Sequence, residues 1–272
     1  MPDTFFAPES NFVWVLFGVV IALFVVSILV RGFFAIKRFV KIIGKGYRKN
    51  PKPESLDLAH LRALNTGAIN SEQTMYFCDS LATGETKTKV LQNLYANYAI
   101  RSHANAVEQI ESLLYSGHRS YFDIIKESFV NSDKSSWKQQ CKDLFDREAG
   151  RATEFMTNLD EAFDALKNEG FVGDRSEIAT LDITAWDTGR AVMLARSCVE
   201  AKYLTADEGW IFIERAYEIS AESYENWEDF ARGYCVGRAM WGGNSVTLGG
   251  IFTIAKGLLN DEESPWKQTS FK

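Results

Sequence analysis

The side chains best suited to chemistry lie between residues 181 and 243. Asp187 and Arg190 stand three apart beside Trp186, so on a helix they share a face. Further on, Trp227, Phe230, Tyr234, Arg238 and Trp241 recur every three or four residues and line one helical stripe. Two readings are open. Arginine grips carboxylate and phosphate groups bidentately, so Asp187, Arg190 and Arg238 in a tryptophan-walled site would suit an anionic ligand. The same residues would serve as a buried ion pair that fixes how two helices meet, because removing one partner of such a pair is strongly destabilising. The simplest assembly packs the two helices together, with the tryptophans as core and Asp187 facing Arg190, Arg238 or both. Gly233 and Gly237 each cost a helix about 1 kcal/mol relative to alanine and point to close approach by a neighbour. Glu228 and Asp229 follow a helix start and complement its positive end.

The motifs A-W-D-x-x-R at Ala185–Arg190 and W-x-x-F-x-x-G-Y-x-x-G-R-x-x-W at Trp227–Trp241 carry a resemblance. With the stretch from Tyr203 to Trp210 between them, they resemble the bacterial domain-of-unknown-function family 1266. The second motif fixes seven of fifteen positions, and the likeness extends weakly upstream. The resemblance implies a bacterial, largely helical domain with Trp186, Asp187, Arg190, Gly233, Tyr234, Gly237, Arg238 and Trp241 as signature positions. It brings no activity with it, and the membrane anchor described below is not part of the signature.

Other chemistry is thinly represented. Gly84-Glu-Thr-Lys87-Thr88 lacks the glycine spacing and strand of a phosphate loop, and Trp241–Gly250 is glycine-rich but has no lysine. His60, His103 and His118 form no H-E-x-x-H, and none stands beside the motifs in the chain, so acid–base chemistry would rest on carboxylates. Cys78, Cys141, Cys198 and Cys235 are widely spaced, the pattern of buried reduced thiols. No metal, no cofactor and no catalytic set is expected.

The elements that must position these residues read as helices. No proline falls between residues 54 and 264, and apolar residues such as Ala106, Ile110, Leu113 and Leu114 repeat at helical spacing. The expected fold is all-α, a compact multi-helix domain behind a single N-terminal transmembrane helix. The expected helices are 56–65, 72–82, 86–100, 103–115, 119–131, 134–168, 183–201, 206–220, 225–241 and 248–260. Ser71 before Glu72 reads as a helix start, and Thr205 with Glu208 as a capping box. Residues 54–264 form one domain with the motifs at 181–243, and 265–272 form a tail.

Residues 12–30 contain no charge. As a helix they would cover about 28 Å, close to the hydrocarbon thickness of a bilayer. Eleven residues precede the run, with Asp3 and Glu9 and no base. Residues 31–53, a basic juxtamembrane helix and linker, follow it with Arg31, Lys37, Arg38, Lys41 and Lys45 poised at the membrane surface. The basic flank places residues 1–11 outside an inner (cytoplasmic) membrane and the large C-terminal part in the cytoplasm. The run lacks the basic leader and small-residue cleavage site of a signal peptide.

Residues 1–53 hold 8 bases and 2 acids of the chain's 30 and 36, so residues 54–272 hold 22 bases and 34 acids, a net of −12. That argues against nucleic-acid binding and suits a protein partner with a basic surface. Two functions compete. One is a membrane-anchored interaction or regulatory protein, for example one conferring toxin immunity or assisting secretion. The other is an enzyme or anionic-ligand receptor at the inner membrane face, using Asp187, Arg190 and Arg238. The anchor has a direct test: the chain should stay in vesicles washed with alkaline carbonate, and protease outside spheroplasts should spare everything beyond residue 30. Extraction, or digestion of the bulk, rules the anchor out.

Overall fold

The computed structural model describes residues 46–52 and 54–272. The expected membrane helix at 12–30 and the basic residues Arg31, Lys37, Arg38, Lys41 and Lys45 lie outside the described residues. Among the described residues no helix is long and apolar enough to cross a membrane.

The described residues are all-helical, with three short 3-10 turns and no strand. Helices α1 (Leu58–Asn65) and α2 (Ala68–Thr74) are short, and α3 (Lys87–Tyr98), α4 (His103–Tyr115) and α5 (Arg119–Asn131) follow. Next come α6 (Trp137–Phe145) and α7 (Ala149–Asn168). The last five are α8 (Thr184–Ala201), α9 (Ala206–Ser223), α10 (Trp227–Gly242), α11 (Val246–Asn260) and α12 (Pro265–Gln268). Their starts are written locally. The side chains of Asp57, Ser102, Asn226, Ser245 and Ser264 each accept from the amide three residues on. Thr205 and Glu208 form the reciprocal capping box expected of them.

Helix α8 organises the domain. Every residue from Ile183 to Cys198 is buried except Arg190, so the helix is covered on all sides. It packs against α2, α3, α4, α9 and α10. Its first turn, with Ala185 and Trp186, belongs to a core shared with α5, α6, α7, α10 and α11. Its later turns, from Ala191 to Ala201, belong to a second core shared with α1, α3, α4 and α9.

Towards its C-terminal end α8 carries Arg196, 1% exposed and without a carboxylate partner among the described residues. The guanidinium donates instead to the carbonyls of Phe77, Ser80, Leu81 and Ala82 and to the Ser71 hydroxyl. Burial pushes its pKa down to about 10. The loop it gathers is also tied from outside. Arg48 donates to the carbonyls of Met75 and Gly84, and Glu54 accepts from Ser80 and Leu81.

Four expectations are corrected. The helix expected at 72–82 lies at Ala68–Thr74, and Met75 turns into the left-handed region at φ 60°. Ser71 is not a cap: its hydroxyl serves Arg196, and the carbonyls beyond it are drawn to the same cation. The helix expected at 134–168 breaks at Asp146, φ 47°, and folds back as α6 against α7. The hairpin brings Cys141 Sγ within 3.5 Å of Met156 Sδ. One straight helix would hold these fifteen-residue neighbours about 22 Å apart along its axis. Finally, the segment taken for a tail is built into the core. It contains α12, Trp266 stacks on Trp227 at 4.9 Å, and Phe271 is 4% exposed.

Arg196→Met strips hydrogen bonds from four carbonyls and a hydroxyl. It is expected to destabilise the fold by about 3–5 kcal/mol, the cost of breaking a buried charged network, visible in a denaturant melt. A loss below about 1 kcal/mol would show that the loop does not depend on this cation.

Candidate functional site

Asp187 lies in the first turn of α8 and is fully buried. Its carboxylate meets neither Arg190 nor Arg238. Oδ1 accepts from the His118 amide at 2.9 Å, and Oδ2 from the Arg119 amide at 3.0 Å and from Arg119 Nη1 at 3.4 Å. These amides open α5, which has no side-chain cap of its own. One carboxylate therefore lies at the positive ends of two helices, its own and α5. Gly117, at φ +56°, lets it approach, since a Cβ there would run into the carboxylate.

Asp187 thus brings in a residue the motifs omit. His118 Nδ1 lies 3.5 Å from Asp187 Oδ1 and accepts from Arg190 Nη1 at 2.8 Å. Because a guanidinium only donates, the imidazole proton belongs on Nε2. The ring packs edge-on against Phe155 of α7 and 6.5 Å from Trp186. The expectation that no histidine stands by the motifs is overturned in space.

From Arg190 a ladder of cations and rings leads to α10. The Arg190 guanidinium lies 4.9 Å from the Trp186 ring, Trp186 lies 5.8 Å from Trp241, and Arg238 lies 5.0 Å from Trp241. Tyr234 meets Trp186 edge-on at 5.3 Å. Gly237 provides the close approach, its Cα side facing Trp186 so that an added Cβ would come within 2.5 Å of Trp186 Cβ. Gly233 admits the Asp182 carbonyl and Tyr224 rather than another helix. Arg238 donates to the Thr247 hydroxyl at 2.7 Å, and desolvation lowers its pKa. Burial likewise raises the Tyr234 phenol, against the pull of Arg190 and Arg238.

Trp227, expected on the same stripe, belongs elsewhere. It packs with Phe230, Trp266 and Phe271 and donates to the Thr269 carbonyl. The structure thus gathers Trp186, Asp187, Arg190, Tyr234, Arg238 and Trp241, adds His118, Arg119 and Phe155, and sets Trp227 apart.

Six buried side-chain polar atoms have no hydrogen-bond partner among the described residues, and Trp186 Nε1, Tyr234 Oη and Arg238 Nη1 are three of them. Two more, Asn70 Oδ1 and Thr66 Oγ1, belong to residues that approach Gly189 of α8, where the Tyr234 ring also lies. Buried polar groups are nearly always paired, so a concentration at one place calls for an explanation. Among the described residues no group of three or more His, Cys, Asp or Glu side chains could hold a metal ion.

Residues 93–271 match the profile of a family described as "Protein of unknown function (DUF1266)". The chain belongs to this family. The DUF1266 region runs from within α3 to the last residues and includes every member of the ladder, but not the loop gathered by Arg196. No curated protein and no solved structure matches the chain.

Asp187→Asn keeps the shape but turns an N–H group towards amides that need an acceptor. It is expected to cost about 2–3 kcal/mol and to speed hydrogen exchange at the opening amides of α5 ahead of the rest. Uniform exchange across the domain would contradict this capping role.

Proposed function

We propose that this chain is a membrane-anchored binding protein whose DUF1266 domain works in the cytoplasm as an interaction or regulatory module, with the ladder as its recognition face. The observation that carries the reading is the gathering of partnerless buried groups at Trp186, Tyr234 and Arg238. An ion pair built only to join two helices would satisfy its own members. Here Asp187 is occupied by α5, leaving Arg190 on a neutral imidazole nitrogen and Arg238 on a neutral hydroxyl. The charge-free run at 12–30 and its basic flank support anchorage at an inner membrane. The acidic balance of residues 54–272 favours a protein partner whose surface is basic around an acidic group that meets the ladder's arginines, and toxin immunity or an accessory part in secretion are concrete forms of that role.

A second reading, an enzyme at the inner membrane face, is favoured by one observation. His118 sits between Asp187 and Arg190 with no partner at Nε2 among the described residues, which suits proton transfer.

Capture with the full-length chain in detergent separates these readings. The wild type is expected to retain a stoichiometric partner, and Arg238→Met to retain at least tenfold less with an unchanged melting curve. Equal retention would place recognition elsewhere, and collapsed stability would return Arg238 to a structural role.

A further inference from the structure

The ladder also constrains the chemistry of what it binds. Arg238, Trp186 and Tyr234 are 7%, 6% and 0% exposed, and each presents a buried polar atom without a partner. A guanidinium can only donate, so what the free Nη1 of Arg238 lacks is an acceptor. Charge narrows the choice. Neither Arg190 nor Arg238 forms an ion pair with a carboxylate among the described residues, and the nearby Asp187 is taken by the start of α5. A neutral acceptor would answer the donors but leave a guanidinium buried without a counter-charge. A cation would be repelled.

We propose that the Arg238 end of the ladder is an oxyanion site, which takes a carboxylate or phosphate group on the free Nη1 of Arg238 beside Trp241. The inference rests on the binding reading above and names the chemistry of its ligand. Trp241, 44% exposed and lying against Arg238, offers a flat face to whatever carries the oxyanion. Gly242 makes room for the Arg238 guanidinium, since a Cβ there would collide with it.

The test uses the purified full-length chain in detergent micelles. Inorganic phosphate and acetate are titrated separately at constant ionic strength set with sodium chloride, and melting is followed by tryptophan fluorescence. A specific oxyanion raises the melting temperature by about 5–10 °C at a hundredfold excess over its Kd. The ion that acts at the lower concentration tells a phosphate-bearing from a carboxylate-bearing ligand. Arg238→Met should abolish the rise, and Arg215→Met, at an exposed arginine paired with Glu111, should leave it intact. If Arg238→Met does not melt cooperatively, Arg238→Lys replaces it, with the charge kept and the planar fork lost, and should weaken the response about tenfold. Failure of both ions to raise the melting temperature above the chloride control overturns the proposal, as does an undiminished response in the Arg238 variant tested. Partner capture that still depends on Arg238 would then leave the binding reading standing without its oxyanion.

Discussion

The domain depends on two opposite charges buried in one helix and satisfied by the backbone of other segments. Asp187, in the first turn of α8, takes the amides that open α5, and Arg196, nearer its end, takes the carbonyls of the loop after α2. The anion sits in the first turn, where the helix dipole favours it. Each also relieves backbone groups that lack partners where regular structure begins or stops. A helix of purely apolar residues would have filled the same volume and left both segments without these partners. The helix therefore sets the position of α5 and of the loop as well as joining the two cores.

This explains why the signature aspartate is not the anionic half of an arginine pair. Four acceptor directions are available on a carboxylate, and those of Asp187 are turned to His118 and Arg119. Arg190 is left to the imidazole and the Trp186 face, and Arg238 to Thr247 and the Trp241 face. Neither guanidinium has a carboxylate partner among the described residues, and their neighbours Trp186 and Tyr234 keep unspent donors. The capping role of the aspartate is thus what leaves both arginines without it as a partner.

Part of this was legible from residue order. Helical periodicity and the absence of proline from 54 to 264 led to the all-α class, and the expected ranges 103–115 and 119–131 coincide with α4 and α5. The Thr205–Glu208 box marked the start of α9, and the motifs placed Asp187 and Arg190 on one face beside Trp186 and put Trp227, Phe230, Tyr234, Arg238 and Trp241 on one stripe, from which the structure removes Trp227. The Asp146 reversal was hidden because apolar spacing runs on through it. Ser71 was misread because a serine before a glutamate looks alike whether it caps a helix or receives a distant arginine. His118 was missed because it lies 72 residues from Arg190 in the chain. One trace of it did exist: α5 starts after Gly117-His118 with no Ser, Thr, Asp or Asn to cap it, so its first amides had to be met from elsewhere.

Sequence alone determined what depends on near neighbours: which segments coil, where most of them start, and which side chains share a helical face. These follow from spacing and from caps that act within three or four residues. Only the tertiary structure decided which buried charge meets which backbone. That choice depends on desolvation and on geometry between segments far apart in the chain, and it assigned Asp187 to α5, Arg196 to a loop, Trp227 to the C-terminal residues, and left Arg238 with a donor to spare.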